Sequence, residues 1–121
     1  MRILLVDDEK ELVSTLAERL QLRGIEADWV TQPEKALKLT EEKQYDIAVL
    51  DIKMPKIGGL QLKKILQKKW PNMKFIFLTG HGSEDDYRAG SAEAGAQFYL
   101  VKPVKIESLI EKMKTVLNSN T

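Results

Sequence analysis

The sequence predicts an α/β domain in which five strand–helix units, (βα)5, build a doubly wound parallel sheet. Five short runs rich in β-branched and aromatic residues recur at 3–6, 25–30, 47–50, 75–78 and 98–101, with starts 22 to 28 positions apart, the length of a strand, a loop and a helix. Four of the runs are nearly continuous in hydrophobicity, as expected for parallel strands covered on both faces. The second, Ile25, Glu26, Ala27, Asp28, Trp29, Val30, alternates and predicts an edge strand. A chain of 121 residues is long enough to bury a core without a metal or disulfide staple, so one domain over 1–121 is expected, with a frayed tail at 118–121.

The helices follow from spacing and punctuation. Leu12, Val13, Leu16, Ala17 and Leu20 form one apolar stripe at helical period, and Ile106, Leu109, Ile110, Met113 and Leu117 form another. Pro33 fits the first turn of a helix reaching Lys43, and a helix from Gly59 to Trp70 is stopped by Pro71. The segment 83–94 is the weakest candidate, because its apolar residues are mostly alanine and Gly90 sits in its middle, costing about 1 kcal/mol relative to alanine.

Composition excludes several chemistries. There is no cysteine and one histidine, His81, so disulfides, thiolate catalysis and Cys- or His-rich metal centres are ruled out, and oxygen ligands remain. The apolar run at 3–6 is far short of the ~18 residues that span a membrane, and the first residues do not read as a signal peptide, so a cytoplasmic location is expected. The net charge of +1 hides an asymmetry: residues 1–51 carry seven basic and twelve acidic side chains, residues 52–121 twelve and six.

In an open parallel sheet, ligands bind beyond the carboxyl ends of the strands. Asp7 and Asp8 follow the first run, Asp51 the third, Thr79 and Gly80 the fourth, Lys102 and Pro103 the fifth. Carboxylates converging on one crevice repel, at about 4 kcal/mol per pair for ~4 Å and an effective dielectric near 20. Lys102 and one Mg²⁺ would offset three carboxylates, and magnesium suits a site of carboxylates, waters and a phosphate. Each residue also has a plain structural reading. Asp8, Glu9, Lys10 and Glu11 form a D-x-x-E capping box, Asp51 suits a solvated strand end, Thr79 a turn, and Lys102 a sheet edge. Gly80 leaves room for a group bonded to the threonine hydroxyl, or is an ordinary turn glycine, and His81 reads as a residue of the crevice rim.

The segments ILLVDDE at 3–9, AVLDIKMPKIGG at 48–59, IFLTG at 76–80 and YLVKPV at 99–104, in this order and spacing, resemble a response-regulator receiver domain of two-component signalling over essentially the whole chain. The resemblance implies a flavodoxin-like sheet in order 2-1-3-4-5 and a phosphorelay function. Asp51 would accept a phosphoryl group from a sensor histidine kinase or phosphotransfer protein, stoichiometrically rather than as an enzyme acting on a separate substrate. Asp8, Asp51 and the backbone carbonyl of Lys53 would hold Mg²⁺, with Asp7 acting through a water. Thr79 and Lys102 would contact phosphoryl oxygens, Thr79 and Tyr99 would switch, and the Lys102–Pro103 peptide would be cis. Gly58 departs from the Asp or Asn common in the family, which implies a looser loop after Asp51, and Lys53 and His81 occupy variable rim positions.

Phosphorylation would shift the loops after strands four and five, and a face made of segment 83–94, the fifth strand and the last helix would meet a downstream effector or a second copy. Residues 52–83 contain no acid while Lys53, Lys56, Lys63, Lys64, Lys68, Lys69 and Lys74 are basic, which suits a solvated face or an acidic partner; no recognition-helix motif supports direct DNA binding, and the expectation for this chain is a receiver without an output domain, either a stand-alone regulator or a receiver cut from a longer protein. The LTGHGS segment resembles receivers attached to transcriptional effectors. A flavin carrier of the same architecture would need a phosphate-binding loop where Asp7, Asp8 and Glu9 stand, and an aspartate-based phosphohydrolase would need a second acid where Lys53 stands. A scaffold of receiver shape would not need the complete site.

Overall fold

The computed structural model describes residues 1–80 and 98–118. Along them run β1 (Arg2–Val6), α1 (Lys10–Leu22), β2 (Glu26–Val30), α2 (Pro33–Glu42), β3 (Ile47–Asp51), α3 (Gly59–Lys69), β4 (Lys74–Thr79), β5 (Tyr99–Val101) and α4 (Ile106–Leu117). The five strands pair in parallel in the order β2-β1-β3-β4-β5. The alternating run is indeed an edge strand, and the continuous runs β1, β3 and β4 are central; the fourth continuous run is corrected, because β5 lies at the other edge with Leu100 half-buried and Val101 exposed. The helix expected over 83–94, His81 and the tail beyond 118 lie outside the described residues.

Strand alternation divides the core in two. Ile3, Leu5, Ile47, Val49, Ile76 and Leu78 pack on the side of α1 and α4, against Val13, Leu16, Leu20, Leu109 and Met113. Leu4, Val6, Ala48, Leu50 and Phe77 face the other way, toward Ala36 of α2 and Leu62 and Leu66 of α3. Both faces of the central strands are therefore dry. Among the described residues no helix is long and apolar enough to cross a membrane.

Local chemistry sets the element ends. Gly24, at φ 78°, closes α1 with a Schellman pair, Gly24 N–H donating to Gln21 O and Ile25 N–H to Leu20 O, both at 3.0 Å. Pro33 begins α2 as expected, and α3 ends at Lys69 with Trp70 as its cap, immediately before Pro71. Two further expectations are corrected. The capping box is not formed: Glu9, not Asp8, is the N-cap of α1, and no side-chain cap bond is made, because the turn in which Asp7 accepts the Glu9 N–H delays helix entry by one residue. On α4 the buried face runs through Val116, and Leu117 is exposed, since the stripe drifts around the helix by its last turn.

Candidate functional site

The site sits at the carboxyl ends of β1, β3, β4 and β5, where register brings the strand ends level. Asp51 lies beside Leu78 on β4, and Thr79 beside Val101 on β5. Lys102 N–H donates to Thr79 O at 2.8 Å, which continues the ladder one residue past β5 and holds the Lys102 backbone against the strand that carries Thr79. The Lys102–Pro103 peptide is cis.

Carboxylate oxygens of Asp7, Asp8 and Asp51 all lie within 4.8 Å of one another. Asp7 is fully buried: Oδ1 accepts the Glu9 N–H at 2.9 Å, while Oδ2 makes an ion pair with Lys102 Nζ at 2.9 Å but lies outside hydrogen-bond geometry with it. Asp51 is almost fully buried, with Oδ1 3.5 Å from the same ammonium, whereas Asp8 faces solvent. This set of hard oxygen donors, with two of three carboxylates not consumed by a short ion pair, fits a small divalent cation.

Lys102 also donates to Glu9 Oε1 at 2.5 Å. Glu9 is a fourth carboxylate at the crevice, and with it the balance of four acids against Lys102 and one dication is −1 rather than zero. The signal for it in the sequence was the third acid in the Asp7, Asp8, Glu9 run. That Glu9 reaches Lys102, 93 positions away, is a tertiary fact.

Burial dominates the electrostatics. It pushes the Asp51 carboxyl up to about 7, with Asp7 and Asp8 pushing the same way and Lys102 and the Lys53 N–H opposing. Asp7 is raised as well, again chiefly by burial, against the Glu9 N–H and Lys102. Burial disfavours the Lys102 ammonium, but the hydrogen bond to Glu9 and the ion pairs with Asp7 and Asp51 outweigh it, and the group is held above its ordinary value. The crevice without a cation is thus short of positive charge.

The Thr79 hydroxyl is buried and has no hydrogen-bond partner among the described residues. A buried hydroxyl left this way costs about 1–3 kcal/mol, so a ligand oxygen there would be favoured. Apart from its chain neighbours, no described residue places an atom within 4 Å of where a Cβ on Gly80 would stand. Tyr99 is buried, its ring stacked on Phe77 with centroids 5.4 Å apart.

The loop from Ile52 to Gly58 is tight, not loose as the Gly58 departure had implied. Ile57 N–H donates to Pro55 O at 2.8 Å around Lys56, whose φ is 70°. A Cβ on Gly58 would stand 2.6 Å from Ile52 O, and one on Gly59 2.3 Å from Asp51 O. Glycine is required at Gly59 because α3 starts in contact with the backbone of Asp51, the last residue of β3.

Comparison with known proteins agrees with this geometry. The model of the response regulator receiver domain matches residues 3–114. Transcriptional regulatory protein PrrA of Mycobacterium tuberculosis is 34% identical over 116 residues, 96% of this chain and 49% of that protein. Two-component response regulator PhoP of Pseudomonas aeruginosa is 34% identical over all of this chain and 53% of its own length. The chain thus spans about half the length of these relatives. Among solved structures, response regulator TrrA of Thermotoga maritima, in complex with Mg²⁺-BeF, is 39% identical with a TM-score of 0.79, covering 95% of this chain and 97% of that one. A CheY-like receiver domain protein of Methanospirillum hungatei is 33% identical with a TM-score of 0.84, covering 97% and 93%.

Proposed function

This chain belongs to the response regulator receiver domain family, whose general role is to accept a phosphoryl group in two-component signalling, and from that premise we propose that Asp51 is its phosphoacceptor. The observation that carries the reading is the convergence of Asp51, Asp7, Asp8, Lys102 and the unsatisfied Thr79 hydroxyl at one end of one sheet. The donor is the phosphohistidine of a sensor histidine kinase or phosphotransfer protein, and the setting is cytoplasmic.

An Asp51 oxygen attacks phosphorus as the P–N bond of the donor breaks, and the electron pair of that bond returns to the imidazole nitrogen. The product is an acyl phosphate on the chain itself, so the protein is consumed stoichiometrically and is not an enzyme toward a separate substrate. The transition state is loose, with charge on the equatorial oxygens, so catalysis reduces to positioning and charge compensation. Asp8, Asp51 and the Lys53 carbonyl would hold Mg²⁺, with Asp7 through a water because its Oδ1 accepts the Glu9 N–H and its Oδ2 is paired with Lys102, and the ion supplies positive charge to the phosphoryl oxygens when bound. Lys102 turns from Asp7 and Glu9 toward one phosphoryl oxygen. The Thr79 hydroxyl donates to another.

Because Thr79 and Lys102 are joined through their backbones, drawing both toward a phosphate moves the ends of β4 and β5 together. Tyr99, two residues before Val101 ends β5, moves with them. The face of β5, α4 and segment 83–94 then meets a downstream effector or a second copy; Val101 and Leu117 are exposed apolar side chains on its two described elements. The domain itself does not read DNA.

Asp51→Asn tests the assignment without a kinase. The substitution removes a charge that burial opposes, so the metal-free protein gains about 2 kcal/mol at pH 8 in urea denaturation with a chelator present. The same variant loses the stabilisation that Mg²⁺ with beryllofluoride gives the wild type. A variant still stabilised by beryllofluoride would show that Asp51 is not the acceptor, and a metal-free variant no more stable than wild type would show that burial does not oppose the Asp51 charge.

A further inference from the structure

The contact between Glu9 and Lys102 is not needed to build the acceptor, and it competes with it. Lys102 has three acidic neighbours in the unphosphorylated crevice: Glu9 Oε1 at 2.5 Å, Asp7 Oδ2 at 2.9 Å and Asp51 Oδ1 at 3.5 Å. The ammonium is therefore displaced from the acceptor toward the β1–α1 turn. Asp7 is fixed by burial and by the Glu9 amide, so its hold on Lys102 belongs to the frame of the site. Glu9 differs. Its side chain is 60% exposed, no other side-chain partner accompanies it among the described residues, and it is the N-cap of α1 without making a cap bond. Its carboxylate is not spent on the helix, and its shortest contact is with the one ammonium the phosphoryl group must recruit.

We propose that Glu9 is a positioning residue that holds the Lys102 ammonium away from Asp51 until a phosphoryl group displaces it, and so sets how readily the site is phosphorylated and how long the phosphoryl group stays. This deepens the phosphoacceptor reading and rests on it. Glu9 touches no reacting atom. It acts through Lys102, by raising the cost of moving the ammonium to the phosphoryl oxygen. Placing the anion on a turn that also carries Asp7 and Asp8 couples that cost to the same loop that lines the acidic cluster.

The test is a double-mutant cycle with Glu9→Gln, which keeps shape and exposure while removing the charge, and Lys102→Met. Time courses of phosphorylation by acetyl phosphate with Mg²⁺, followed by intact mass, should run about fivefold faster in Glu9→Gln than in wild type, the scale of a partly exposed ion pair. The gain should vanish when Glu9→Gln is placed on Lys102→Met. A slower or unchanged Glu9→Gln overturns the proposal. An equal gain in the Lys102→Met background also overturns it, since Glu9 would then act by repelling the donor. Labelling of Lys102 by acetic anhydride, read at the peptide level without any phosphoryl donor, should be several-fold faster in Glu9→Gln; equal labelling contradicts the hold on the ammonium. Because labelling needs no phosphorylation, a wild type that accepted no phosphoryl group would overturn the functional reading and leave the Glu9 contact separately decided.

Discussion

Replacing Lys102 by methionine lowers the stability of the metal-free protein by roughly 3 kcal/mol at pH 8, the scale for removing one partner of a buried ion pair. Methionine fills much of the same volume, so the loss is that of the charge. It leaves Asp7, fully buried, with no cation at 2.9 Å, and Asp51 with the Lys53 N–H alone set against the charges of Asp7 and Asp8. The deficit depends on pH with a definite sign. Asp51 is held up to about 7 against an ordinary 3.8, and Asp7 is raised too, so the folded state keeps protons that the unfolded chain gives up. For such acids, stability is highest at low pH and is lost as pH rises from the unfolded value through the folded one. Without Lys102 both carboxyls are pushed up further; at pH 5 Asp51 is protonated with or without the lysine, so its loss costs that group little there, whereas at pH 8 the unfolded chain has given up the proton and the penalty is in force. Urea denaturation at the two values should show the larger deficit at pH 8, and equal deficits would contradict the charge balance described for the crevice.

Gly59→Ala should cost roughly 2–3 kcal/mol, within the range for forcing an extra methyl into closed packing. The methyl would stand 2.3 Å from Asp51 O and 2.9 Å from Asp51 C. Neither atom can yield cheaply, since β3 is bonded on both sides by β1 and β4. The helix must shift instead, which strains the Gly59 N–H to Ile52 O bond of 3.0 Å and the seats of Leu62 and Leu66 in the core. The shift carries with it the loop from Ile52 to Gly58, whose Lys53 N–H is bonded to Asp51, so slower phosphorylation should accompany the lower stability. Wild-type stability in urea would show that the approach of α3 to β3 is not tight.

The strands and their burial were legible because hydrophobic continuity and alternation report directly on whether one or both faces are covered. The alternation in β2 identified an edge and the apolar runs of β1, β3 and β4 the centre, but the equally continuous run of β5 did not mark it as the other edge, with Val101 exposed. Site residues were legible for a related reason, since the ends of those runs mark the ends of the strands. What the sequence hid was anything set by a one-residue offset or by distant contact. The D-x-x-E pattern at Asp8 to Glu11 satisfies a capping rule, yet the turn at Asp7 takes precedence and leaves Asp8 free of the helix. Gly58 reads as flexibility and is in fact a close approach to Ile52 O. The Glu9 contact depends on how the β1–α1 turn meets the end of β5, which no local pattern encodes.

The most direct measurement is the intact mass of wild type and Asp51→Asn after incubation with acetyl phosphate and Mg²⁺. Wild type should gain the mass of one phosphoryl group, lose it on mild base treatment, and gain nothing when Mg²⁺ is chelated, while Asp51→Asn remains unmodified. A wild type that stays unmodified under these conditions, or an Asp51→Asn variant that still gains the group, would contradict the assignment of Asp51 as the acceptor.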